Sequence, residues 1–312
     1  MSFAPENPFR AIALKLTSVL LFVIMASFIK AASIEVPPGE AVFFRSFFAL
    51  PVIVLWLASR GELRTGLKAS DPKAHVVRGL IGSMAMGMSF AGLAILPLYE
   101  VKAIQYAMPL FVVVLAALIL GETVRKVRLT AVALGMAGVL IILWPRLTAF
   151  SDDTLDPRLA FGALVVLTGS LCAAFAQIFV RKMVETEEPA AIVFWFSVTA
   201  TCLALLTLPF GWTVPSGRVT LFLIGAGLVG GIGQIMLTSA YRYGDASIIA
   251  PFEYASMLFA VAIGYVVFSE VPTLGMLGGS ALVIGAGVLV ILRERYLHIQ
   301  RGKARKIVTK YG

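Results

Sequence analysis

Ten runs of mainly apolar residues, each close to the length of a membrane-crossing helix, follow one another with little between them. They are Ala11–Ala32, Pro38–Ser59, His75–Leu96, Leu98–Leu120, Val127–Trp144, Leu159–Lys182, Pro189–Phe210, Val219–Tyr243, Ala246–Phe268 and Pro272–Leu292. A spanning helix takes about 20 residues, because roughly 30 Å of hydrocarbon is crossed at about 1.5 Å per residue. Ten such helices use about 200 of the 312 residues, which leaves no room for a soluble domain. Apolar residues make up 59% and charged residues 14%, against roughly 45–50% and about 25% in soluble domains. The expected fold is an all-α integral membrane protein of ten transmembrane helices, in which the bundle itself does the work.

The breaks carry proline where a helix tolerates it, in the first turn: Pro38, Pro72, Pro157, Pro189 and Pro272. With the N-terminus in the cytoplasm, alternating loops and helix ends place twenty Lys and Arg inside and five outside, with Arg45 within the membrane. That asymmetry predicts both termini inside. The basic tail (residues 296–312) then reads as an anchor beside anionic lipid, not a nucleic-acid patch. Cys172 and Cys202 read as small packing residues. No cleavable signal peptide is expected, since Met1 to Arg10 is polar and the first apolar run has spanning length.

The chain repeats itself. Gln105-Tyr106-Ala107 precedes Glu122 by the same 17 residues that separate Glu253-Tyr254-Ala255 from Glu270. The run from Gly138 to Leu143 matches Gly287 to Leu292, and Pro38, Val42, Phe43 and Ser46 match Pro189, Val193, Phe194 and Ser197. The offsets stay near 150. The reading is one five-helix repeat in residues 1–150 and a second in 151–295. Five is odd, so the two halves enter the membrane from opposite sides, an inverted repeat that permits alternating access around a midplane site.

The segment from Ala94 through Pro109 to Glu122, then Gly135 to Leu143, resembles an EamA module of the drug/metabolite transporter superfamily. Ala240 to Asp245, Ser269-Glu270 and Gly285 to Leu289 carry the resemblance into the second half. It covers about residues 10–295. It implies ten helices in two inverted repeats and the movement of small metabolites, most like bacterial exporters of amino acids, aromatic ones included. Uptake of a vitamin or nucleoside-like metabolite is the second expectation. The second half departs from the pattern at Met257, the counterpart of Pro109, with its proline earlier at Pro251.

Tyr99, Lys102, Tyr106 and Pro109 fall on one face of a continuous helix. Pro109 and Pro251 are expected kinks: each lacks an N–H and frees a carbonyl, of Gln105 and Ser247 respectively. Such backbone is tolerated at membrane depth only when buried in protein or facing a cavity. Tyr99, Lys102, Gln105, Tyr106, Glu253 and Tyr254 are therefore the expected substrate wall, with a packing kink as the plainer reading. A carboxylate such as Glu253 costs about 2.5–3.5 kcal/mol at the bilayer centre. Protonation would make it a coupling site; pairing with Arg242 or Lys15, or a place at the interface, would satisfy it structurally. Arg45, whose repeat mate is Phe196, either meets a carboxylate of functional importance, pairs with Glu40 or Glu100, or snorkels.

The rings of Phe43, Phe44, Phe47, Phe48, Phe194, Trp195 and Phe196 either line a cavity or pack. Gly227 with Gly231, Gly275 with Gly279, and Ser83 with Gly87 suit close helix contact. His75 and His298 are the two histidines, both at helix ends, and no metal-ligand or nucleotide-binding spacing occurs. No cofactor or metal is expected, and a membrane enzyme is a distant alternative. The expected partners are a small-molecule substrate and the lipid bilayer. Nothing in the sequence specifies oligomeric state.

Overall fold

The computed structural model describes residues 8–120, 126–147, 156–183, 186–243, 250–289 and 292. Glu122, Ser247, the start of the ninth run, His298 and the basic tail lie outside them. Among the described residues the protein is helical and has no strands.

The described residues form, in order, α1 (Pro8–Ala32), α2 (Pro38–Ser59), the single turn α3 (Leu63–Gly66), α4 (Pro72–Ile95), α5 (Leu98–Gln105), α6 (Ala107–Leu120), α7 (Lys126–Leu147), α8 (Pro157–Met183), α9 (Pro189–Leu205), α10 (Gly217–Tyr243), α11 (Ala255–Phe268) and α12 (Leu274–Leu289). Among the described residues six stretches are long and apolar enough to cross a membrane: α1, α2, α4, α5 continued by α6, α8 and α10. Shorter apolar helices lie in α7, α9, α11 and α12. Proline opens α2, α4, α8 and α9, since its fixed φ suits the first turn and its missing N–H is unpaired there anyway. Asp71 caps α4 by accepting from the amides of Lys73 and Ala74 at 3.1 and 3.2 Å.

The large apolar side chains divide between core and periphery. Ile29, Leu96, Leu98, Ile104 and Leu223 are fully buried, whereas Leu55, Leu118, Leu221, Leu258 and Val266 stand outward. A perimeter of that kind suits lipid as its solvent. Within the bundle α1 packs on α10 and α4 on α8, α10 also packs on α2 and α4 on α9, and α2 meets α9. Lipid tails are as apolar as the side chains, so close backbone approach drives this association. A Cβ on Gly227 would fall 2.9 Å from the Phe44 carbonyl, and one on Gly231 3.0 Å from Val52. Gly138 and Gly279 meet where α7 crosses α12. A Cβ on either would lie 2.6 or 2.8 Å from the other's carbonyl oxygen. Two glycines expected at contacts are not used so: nothing lies within 4 Å of a Cβ at Gly275 or Gly87.

A polar clasp joins the α8–α9 loop to the start of α4. Glu187, buried, accepts the amides of Ser70 at 2.7 Å and Asp71 at 2.6 Å. His75 Nε2 stands 3.4 Å from its second oxygen. Burial pushes the carboxyl up, but the Asp71 amide, His75 and the Ser70 amide together outweigh it and hold Glu187 below its ordinary value of 4.5.

Two outcomes follow. Gly279→Val drives a side chain into the backbone of Gly138, and overpacking of this kind costs about 1–3 kcal/mol, read as a lowered thermal midpoint in detergent. For Glu187, the folded value lies below the unfolded one. Its contribution is therefore complete above the ordinary carboxylate range and is lost as pH falls through the depressed value. Glu187→Ala should cost about 1–3 kcal/mol at pH 7 and flatten the loss of stability that the wild type shows on acidification below about pH 4.

Candidate functional site

Where the sequence suggests one continuous fourth helix, the structure has two, α5 and α6, separated at Tyr106. The Tyr106 amide bonds to the Ala103 carbonyl at 3.2 Å, a tightened last turn. Pro109 lies one turn beyond, with no N–H for the Gln105 carbonyl and a ring that crowds it. The second half has irregular backbone at the matching place. Ala250–Tyr254 forms a 3₁₀ segment that contains Pro251, and α11 begins at Ala255.

The two breaks face each other. The rings of Tyr106 and Tyr254 stand edge to face with centroids 5.2 Å apart. The Tyr106 hydroxyl lies 2.6 Å from Ser256 Oγ and donates to the Tyr254 carbonyl at 3.3 Å. Gly287 makes room here, because a side chain there would overlap the Tyr254 hydroxyl. Beside the rings, Lys15 Nζ donates to Glu253 Oε2. The Lys15 side chain is enclosed, while that of Glu253 is 51% exposed. Of the readings open for Glu253, the structure gives it an ion pair with Lys15. Lys102 lies within electrostatic reach of Glu253.

The other expected wall residues turn elsewhere. The break ends the shared face of Tyr99, Lys102, Tyr106 and Pro109. Tyr99 is buried and donates to the Val271 carbonyl at 3.0 Å. Gln105 donates to Ser89 Oγ on α4. Tyr106, Tyr254 and Glu253 thus form one cluster with Lys15, and Tyr99 belongs to a second.

That second cluster escaped sequence reasoning. Lys30 Nζ lies 3.0 Å from Glu270 Oε1 and donates to the Leu96 carbonyl at 2.7 Å. Glu270 Oε2 accepts the Leu98 amide at 2.8 Å, so a carboxylate from beyond α11 caps the start of α5. A Cβ on Gly264 would stand 2.8 Å from that oxygen. Glu270 was visible only as a marker of the repeat and of the resemblance, and Lys30 only as one of the five cations counted outside.

Arg45 is 7% exposed, and its Nε has no hydrogen-bond partner. It is not paired with Glu40, whose carboxylate accepts the Thr213 amide at 3.1 Å. Arg78 shares its surroundings, with Nε and Nη1 enclosed and unpartnered. Both guanidinium groups stand over the Phe196 ring, at 5.8 and 3.9 Å from its centroid. Such contacts give about 0.5–2 kcal/mol each, less than the several kcal/mol needed to bury an ion. The other aromatics of α2 pack on one another: Phe43 stacks on Phe47, and Phe44 on Phe48.

Irregular backbone at Tyr106 and at Ala250–Tyr254 among apolar helices, with charges held inside the bundle, suits a membrane transporter. The chain belongs to the EamA-like transporter family, whose model matches it twice, at residues 9–144 and 160–293. It is a small-molecule transporter of the membrane, not an enzyme. Among curated proteins it is 29% identical to the pseudopaline exporter CntI of Pseudomonas aeruginosa, over 87% of this chain and 89% of that one. It is 26% identical to the S-adenosylmethionine uptake transporter of Rickettsia prowazekii (82% and 83%) and 27% identical to the riboflavin transporter of Rhizobium johnstonii (83% and 82%). A solved crystal structure shares the fold with a TM-score of 0.63 and 19% identity, over 92% of this chain and 98% of that one.

The Lys30 cluster gives a direct prediction. Glu270→Gln strands the Lys30 charge and weakens the α5 cap, at a cost of about 1–3 kcal/mol in detergent unfolding. Lys30→Met combined with Glu270→Gln should recover part of that loss, because the stranded charge is gone.

Proposed function

We propose that the protein is a secondary transporter that moves small metabolites, amino acids foremost and aromatic ones among them, outward across a bacterial inner membrane by alternating access. In this reading the ten apolar helical segments are ten spans. They form two inverted five-helix repeats with both termini in the cytoplasm. The observation that carries it is the meeting of the two breaks: Tyr106 and Tyr254, 148 positions apart, touch ring to ring. The packing supports it too, since exchanging the halves exchanges α1 on α10 for α8 on α4, and α2 on α10 for α9 on α4. The proposed substrate space lies around Tyr106, Tyr254, Glu253 and Lys102, with Tyr99 and Gln105 on its margins and Pro109 and Pro251 permitting the breaks.

The Lys15–Glu253 pair gives this space a switchable charge. A proton, or the amino group of a cargo, competes with Lys15 for the carboxylate. An amino acid suits a site that offers both signs of charge beside aromatic faces. The second reading, uptake of a vitamin or nucleoside-like metabolite, is favoured by the relatives named for riboflavin and S-adenosylmethionine uptake. Export and import use the same frame, and the coupling gradient sets the direction.

The test is flux from liposomes holding the purified protein, with amino acids and with riboflavin, at equal pH and under a pH gradient. Amino-acid flux driven by the gradient is expected. Flux of riboflavin alone would falsify the amino-acid assignment. Glu253→Gln should abolish the response to the gradient, and an unchanged response removes Glu253 from coupling.

A further inference from the structure

We propose that a cavity bounded by α2, α4, α9 and α10 is a binding subsite for a carboxylate group, held between Arg45 and Arg78. It rests on the transport reading only in taking that carboxylate to be the cargo's.

The cavity measures about 40 Å³ and is lined by Arg45, Arg78, Phe196, Ser197 and Gln234. At about 10–15 Å³ for each water held, that is space for about three waters, matching a group of three heavy atoms. Arginine stays protonated in proteins, so the cavity carries two positive charges, and Arg78 lies within electrostatic reach of Arg45. Neither forms an ion pair among the described residues. Two like charges together, without an anion, are an arrangement that burial disfavours.

The chemistry of the two side chains identifies the missing partner. Phe196 lies against both guanidinium groups. Arg45 Nε, Arg78 Nε and Arg78 Nη1 are enclosed donors without a hydrogen-bond partner. A planar fork of edge donors matches the two oxygens of a carboxylate. Two glycines of α10, Gly230 and Gly231, also line the space. Ser197 and Gln234 add neutral polar groups to the lining. Arg45 comes seven residues after Pro38 and Arg78 six after Pro72. Each is therefore about 9–10 Å into its helix, deep enough to exclude a loop site.

The experiment uses the full chain in detergent and follows its thermal midpoint as sodium acetate replaces sodium chloride at constant ionic strength. Acetate should raise the midpoint in a saturable way. Arg45→Gln and Arg78→Gln should each weaken the apparent affinity for acetate about 100-fold. Without acetate, neither variant should be less stable than the wild type, because each removes an unpaired buried charge. Arg45→Lys should not restore wild-type affinity, since it keeps the charge but not the fork. A midpoint no higher in acetate than in chloride overturns the carboxylate assignment. An acetate response that survives in both glutamine variants overturns the site. Should Arg45→Gln fail to fold, Arg78→Gln, at a half-buried position, carries the same test. If acetate binds as described but liposomes show no flux, the transport reading fails and the subsite stands.

Discussion

Inside a bilayer no water is available to satisfy a peptide group, so a chain that crosses it must stay helical or be repaired by other parts of the protein. In this protein the rule is relaxed at Tyr106 and at Ala250–Tyr254. The two places meet: the Tyr106 hydroxyl donates to the Tyr254 carbonyl, and the two rings stand edge to face. The surrounding helices serve that meeting. Helix α12 presents Gly287, whose missing side chain admits the Tyr254 hydroxyl. Helix α4 presents Ser89, which holds Gln105 at the end of α5. Helix α1 presents Lys15 to the carboxylate beside the second break.

Helix α1 also carries Lys30, so one helix of the first half holds two carboxylates of the second, Glu253 and Glu270. Fifteen residues of helix, about 22 Å, separate the two lysines. The pairs therefore lie at different depths, one beside the breaks and one at the start of α5. Their environments also differ. Lys30 and Glu270 are both largely enclosed, and both have backbone partners as well. Glu253 is half open. A half-open carboxylate changes partners at lower cost than an enclosed one, because water compensates part of the exchange. In the proposed cycle the Lys30 pair holds the structure and the Lys15 pair responds to cargo.

Much of this was legible in the sequence, because the governing physics is local. Proline at a first turn stood at the starts read for α2 and α9 and just ahead of the runs read for α4 and α8, and Pro109 marked a break. The face expected for Tyr99, Lys102, Tyr106 and Pro109 assumed an unbroken helix, and the break that Pro109 permits removes that assumption. Arg78 was missed for a related reason. Placing the start of its helix at His75 leaves Arg78 in the first turn, among the interfacial cations. The helix begins at Pro72, which carries Arg78 a turn deeper. Periodicity also reports which residues share a face but not what the face meets. Gly275 fits the contact pattern as well as Gly279 does, yet only Gly279 has a helix against it. The pairing of Lys30 with Glu270, 240 positions apart, leaves no local trace.

Two contacts join a position to its own counterpart in the other half: Tyr106 to Tyr254, and Arg45 to Phe196. Residues related by a two-fold repeat touch their counterparts only near the line that relates the halves. In the proposed architecture that line passes through the centre of the bundle. The tyrosine pair keeps the symmetry, and the arginine–phenylalanine pair breaks it. Two arginines at the second place would face each other directly; two phenylalanines would seal the bundle with carbon. One of each leaves a single cation there beside a ring, with Arg78 at the same ring. A duplicated frame offers the same chemistry to both ends of a cargo. In the proposed architecture a substitution on its axis makes the ends unequal, and Arg45 against Phe196 is such a substitution.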